Sequence, residues 1–192
     1  MSKFRSPEKK FLSPEVLART TAMVLELSGD QGIDIAIAGG YAMQFYGSSR
    51  LTGDVDVIAD SEPDEDPRLK RTKPLTFGGR QYVTPDGVEV DFIVRADAFA
   101  PLYQEALNHR VLTEDGIPVI TPEYLAVVKF VAGRSKDHDD LMYLLQAESL
   151  VDRGAALDIV RRLLGAFAAE EFQSFIDEAD WRFERDRKKG SK

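Results

Sequence analysis

Cysteine is absent from the 192 residues and histidine occurs twice. Without cysteine there can be neither disulfides nor thiolate metal sites. The two histidines, His109 and His138, lack the spacing of a metal-ligand pair and read as surface residues. No run approaches the ~18 uninterrupted apolar residues of a membrane span. The charged stretch from Met1 to Lys10 leads into no apolar segment of signal-peptide length. These absences point to a cytoplasmic chain with no membrane partner. Positive charge is also in short supply, since the formal net charge is -8. That argues against a broad nucleic-acid footprint, which usually needs a strongly basic face. The exception is the tail from Arg182 to Lys192, rich in arginine and lysine, which reads either as a solvated, frayed end or as a polyanion contact.

Hydrophobic residues make up 43% of the chain and charged residues 30%, enough for a core and a soluble surface, and the length suits one domain with a helical extension. Ser13-Pro14-Glu15 has the form of an N-cap with proline at the first helical position, and an apolar pattern follows from Val16 to Leu27 until Gly29. Ile33, Ile35 and Ile37 alternate with Asp34, Ala36 and Ala38, which predicts a half-buried strand that Gly39-Gly40 ends. A short helix is expected over Tyr41 to Tyr46. The next strand, Asp54 to Ala59, places Asp54 and Asp56 on one face and Val55 and Val57 on the other.

The proline- and charge-rich stretch from Asp60 to Pro74 reads as a loop beside the site. Leu75 to Val83 and Val88 to Val94 read as a hairpin around Pro85-Asp86-Gly87, with Asp91 opposite the core-facing Val90 and Phe92. Helices are expected over Ala98 to Asn108, Tyr124 to Ala132, Asp137 to Gln146, Asp152 to Leu164 and Ala168 to Arg185, with a brief strand at Ile117 to Ile120. Trp181, Phe172 and Phe175 on the last helix read as core. The fold class is therefore α/β (α+β), a small mixed sheet flanked by helices over residues 1–120, then a helical bundle over 121–192.

Three features coincide: Gly39-Gly40 at a strand-to-helix turn, Asp54-Val55-Asp56 on a strand, and Asp91 on a later strand. A Gly-Gly turn lets backbone approach a ligand closely, and a helix N-terminus favours phosphate. Paired carboxylates on one strand face suit Mg²⁺ or Mn²⁺, and a third from a neighbouring strand completes a two-metal site. Three carboxylates converging without cations would repel one another and raise their own pKa values. Divalent metal therefore belongs to the expectation.

The stretch Ile37-Ala38-Gly39-Gly40-Tyr41-Ala42-Met43, then Arg50-Leu51-Thr52-Gly53-Asp54-Val55-Asp56-Val57, then Val90-Asp91-Phe92 resembles the DNA-polymerase-β-like nucleotidyltransferase superfamily. The resemblance implies that Asp54 and Asp56 bind metal and nucleotide phosphates, and that Asp91 binds metal or activates the acceptor hydroxyl. The later segment, with Lys129, Arg134-Ser135-Lys136-Asp137 and Asp140-Leu141, resembles the AbiEii-like toxins of bacteria. It implies an RNA acceptor, such as the 3′ end of tRNA, and an antitoxin partner. Small molecules such as aminoglycosides are the rival acceptors, and a non-catalytic nucleotide-binding module is the rival class.

Beside these, Lys129 lies next to the stripe of Leu125, Val128 and Ala132, either reaching a phosphate or snorkelling to solvent. Asp137 positions an acceptor or pairs with Arg134, and Arg50 binds triphosphate or neutralises the acidic cluster.

Overall fold

The computed structural model describes residues 11–146 and 150–190. The N-terminal stretch Met1 to Lys10 and the last two residues of the basic tail, Ser191 and Lys192, lie outside them.

Helix α1 (Pro14–Gln31) begins as its sequence dictates, with the Ser13 hydroxyl accepting from the Val16 amide and proline in the first turn. It runs past Gly29 and ends at Gly32, whose left-handed backbone (φ 67°) lets the Ile33 amide reach back to the Ser28 carbonyl. That cap takes Ile33 out of the following strand, β1 (Ile35–Ile37). The expected half-buried alternation also fails there: Ile35, Ala36 and Ile37 are all buried. The physical reason is position, because β1 sits inside the sheet with a strand on each side and cover on both faces.

Helix α2 (Gly39–Phe45) starts at the glycines themselves, two residues earlier than expected. Strand β2 (Asp54–Ala59) has the expected limits. The loop expected over Asp60 to Pro74 ends in an exposed edge strand, β3 (Lys70–Pro74). The hairpin arm expected from Leu75 is shortened to β4 (Arg80–Val83), because Gly78 and Gly79, at φ 105° and 83°, form a turn before it. Strand β5 (Glu89–Ile93) completes the meander.

Helix α3 (Ala100–Asn108), the short strands β6 (Val111–Leu112) and β7 (Pro118–Val119), and helices α4 (Pro122–Ala132), α5 (Ser135–Gln146), α6 (Arg153–Leu164) and α7 (Ala166–Gly190) follow. Helix α7 continues through Gly190 and so carries most of the basic tail.

The seven strands form one mixed sheet in the order β3-β4-β5-β2-β1-β7-β6. β2 runs parallel to β5 and antiparallel to β1, and β1 runs parallel to β7. Helices α4 to α7 pack on one another, while α1, α2 and α3 contact β2. The core includes Val55, Val57, Val90, Phe92, Leu125 and Phe172, all fully buried. Trp181 departs from its expected core place: it is 60% exposed on α7 with the Arg185 guanidinium 4.9 Å above its ring. Phe172 and Phe175 do pack inward, edge-on against Phe130. His109 is exposed and stacks on Tyr124, and His138 is half-buried near Glu178.

Candidate active site

The parallel pairing of β2 with β5 sets Asp54 opposite Glu89 and Asp56 opposite Asp91. Paired residues of parallel strands point to the same side, so four carboxylates share one face at the starts of the two strands. That face is open only there. Two residues further along, Ile58 and Ile93 point the same way and are buried. The C-terminal end of β1 arrives antiparallel at the same place, where the Ala38 amide bonds the Asp56 carbonyl at 2.9 Å, and Gly39 then turns the chain into α2.

Gly39 is fixed by two independent constraints. Its φ of 61° is costly for any L side chain, and a Cβ there would stand 1.7 Å from Asp56 Oδ2. At Gly40 a Cβ would lie 2.8 Å from Thr52 Oγ1, the hydroxyl that donates to Asp54 Oδ1 at 2.7 Å. The glycines let the turn fold against the carboxylates. Thr52 and Glu89 are site residues that sequence reasoning did not single out. Two signals were present, a threonine two residues before Asp54 and a glutamate on the Asp91 face.

The electrostatics of this face are unfavourable in the bare protein. Burial pushes the Asp56 pKa up and the Asp54 charge pushes it further, with Lys129, Lys136 and Arg134 offsetting part of the rise. Asp91 is pushed up to about 6, first by burial and then by Asp56, while Gln81 on β4 works the other way. Asp91 Oδ1 is buried with no hydrogen-bond partner among the described residues, an arrangement that costs free energy unless something fills it.

Arg50, Lys129 and Asp137 form a second group behind the carboxylates. Arg50 ion-pairs with Asp140. Lys129 is 3% exposed, which rules out snorkelling. Its Nζ lies 2.6 Å from Asp140 Oδ2 and 3.3 Å from Asp137 Oδ1. Asp137 is fully buried and also accepts from Arg134. Burial works to raise its pKa, but Arg134 and Lys129 prevail and hold it below the usual carboxylate range. Asp140, which ties Arg50 to Lys129, is the member of this network to which sequence reasoning gave no role.

The donor set fits a divalent cation in chemistry: hard oxygens, uncompensated charge and one buried oxygen without a partner. Among the described residues no three acidic or histidine side chains close into a ready ligand cage.

No family model and no curated protein matches the sequence. Several solved structures are similar to the chain, among them two nucleotidyltransferase-like or antibiotic-resistance proteins. One is an antigenic nucleotidyltransferase-like protein from Paracoccidioides brasiliensis, at 18% identity, covering 83% of this chain and 94% of that one with a TM-score of 0.48. The other is the antibiotic-resistance factor ANT(2'')-Ia, at 12% identity, covering 91% and 98% with a TM-score of 0.47. At that level of likeness neither bears on the chemistry of this chain, which its own residues must carry.

Proposed function

We propose that this chain is a nucleotidyltransferase, moving a nucleoside monophosphate from a nucleoside triphosphate to an acceptor hydroxyl. The observation that carries the reading is the Asp56–Asp91 pair on adjacent parallel strands, with Asp54 beside it and Gly39 pressed against it. A cluster so loaded with like charge is hard to account for unless it serves a cation and a polyanion.

In this reading Asp54, Asp56 and Asp91 hold Mg²⁺ or Mn²⁺, which when bound supplies charge neutralisation for the phosphates and leaving group. Gly39 and Gly40 admit the phosphates to the turn, and Lys129 and Arg50, held by Asp137 and Asp140, keep positive charge behind them. Asp91, on the strand beside Asp56, accepts the acceptor's hydroxyl proton. The freed oxygen forms a bond to the α-phosphorus, and the bond from that phosphorus to pyrophosphate breaks. The chain's contribution is positioning and charge placement rather than covalent chemistry.

For the acceptor we favour RNA, with the 3′ end of tRNA and a toxin–antitoxin setting as its specific form. Exposed Trp181 under the Arg185 guanidinium supports that choice, since such a pair offers a stacking surface beside positive charge. A small hydroxylated molecule is the second reading. It is favoured by the net charge of -8, which suits a cationic acceptor such as an aminoglycoside.

The test is incubation with each α-labelled nucleoside triphosphate and Mg²⁺, with total RNA or an aminoglycoside panel as acceptor. Label on RNA supports the first reading and label on a small molecule the second. No label transfer and no pyrophosphate release would overturn the enzyme reading and leave a nucleotide-binding module.

A further inference from the structure

Beside the carboxylates lies a recess of about 460 Å³ lined by Phe11, Arg50, Leu51, Thr52, Gly53 and Lys136. It adjoins the cleft directly, because Thr52 is the residue whose hydroxyl holds Asp54. The chain ahead of α1 is fixed along its rim by a hydrogen bond from the Leu12 amide to the Thr52 carbonyl at 2.9 Å. That bond places Phe11 at the recess wall, 60% exposed, together with Leu51, 55% exposed. Two large apolar side chains open to solvent next to an ionic cleft have no packing role among the described residues. Cationic groups, Arg50 and Lys136, line the same recess, and Lys136 acts on Asp56 electrostatically.

We propose that this recess is the nucleobase platform of the enzyme, with the base of the nucleoside triphosphate stacked on Phe11 against Leu51 and its phosphates turned toward Arg50, Lys136 and the carboxylates. The proposal rests on the nucleotidyltransferase reading and adds where the nucleotide's aromatic end is held. Among the lining residues Phe11 is the aromatic one, and its exposed ring supplies the face on which a base stacks. Stacking accepts every base, because each has a π-face.

Titration calorimetry in the presence of Mg²⁺ tests this with two probes, a non-hydrolysable nucleoside triphosphate analogue and inorganic tripolyphosphate. The wild type is expected to bind the analogue more tightly than tripolyphosphate. Phe11→Ala should weaken the analogue by about 5–150-fold, the range of one base–aromatic stack, and leave tripolyphosphate within about twofold. Phe11→Trp should keep the wild-type margin. If the wild type binds both probes and Phe11→Ala leaves the analogue unchanged, or weakens both alike, the platform is overturned and the nucleotidyltransferase reading stands. If the wild type binds neither probe, both fall together.

Discussion

Replacing Asp91 with asparagine should make the metal-free protein more stable, against the usual effect of substituting a buried polar group. The folded state holds the Asp91 carboxyl at about 6 against an ordinary value of 3.8, about two units. At roughly 1.4 kcal/mol per unit, ionised Asp91 costs the fold at most about 3 kcal/mol. The carboxyl keeps some contact with solvent, and screening reduces the figure to ~1–2 kcal/mol.

The sign follows from which state ionises first. Below pH 3.8 the group is protonated in both states and costs nothing. As pH rises through 3.8 the unfolded chain ionises while the folded one holds its proton, so stability falls. The loss stops growing above about pH 6. The asparagine variant is neutral at this position throughout, so its advantage is full at pH 8 and down to about a third at pH 4.5.

For a chain of this size that corresponds to a melting temperature roughly 2–8 °C above wild type at pH 8. Differential scanning calorimetry in EDTA at both pH values reads it. Added Mg²⁺ should narrow the gap by stabilising the wild type more than the variant. Equal melting temperatures at pH 8 without divalent ions, or a gap that does not shrink at pH 4.5, would refute the claim that Asp91 is held under electrostatic load.

Three other outcomes are expected. Asp56→Asn should cut turnover by at least ~10²–10³-fold, the scale of losing one preorganised charge-stabilising group, with an unchanged circular dichroism spectrum; retained turnover would mean the reacting phosphate lies elsewhere. Gly39→Ala forces a methyl group onto the Asp56 carboxylate in a left-handed backbone and should cost roughly 1–3 kcal/mol in urea unfolding from the backbone alone, with activity lost; an unfolding midpoint equal to wild type would contradict the contact. Lys129→Met leaves buried Asp137 and Asp140 short of a partner and should cost about 3–5 kcal/mol; a loss below about 1 kcal/mol in the same assay would show that Arg50 and Arg134 satisfy both carboxylates unaided.

The limits of β2 were legible because alternation is a local property: Val55 and Val57 could pack inward only if Asp54 and Asp56 pointed out. The start of α1 was equally local, since Ser13 and Pro14 cap and begin a helix through their own atoms. Burial of both faces of β1 was not legible, because three residues cannot show that a strand lies on each side. The edge strand β3 was hidden for a related reason: its residues are exposed and charged, and only β4 beside it makes them a strand. Lys129 read equally well as a solvent lysine, since its partners come from α5, beyond the helix that carries it.

The sequence by itself determined that the chain holds two carboxylates on one strand face, a glycine pair before them and a third acidic residue on a later strand with the same polarity. Side-chain direction along a strand follows from backbone geometry, so no tertiary contact was needed for that. What the tertiary structure decided was that Asp91 stands opposite Asp56, that Gly39 is pressed against the Asp56 carboxylate, and that Arg50, Lys129 and Arg134 pair with Asp137 and Asp140. Register between β2 and β5, and the docking of α5 on α4, are choices among distant segments, settled by how the whole apolar core closes.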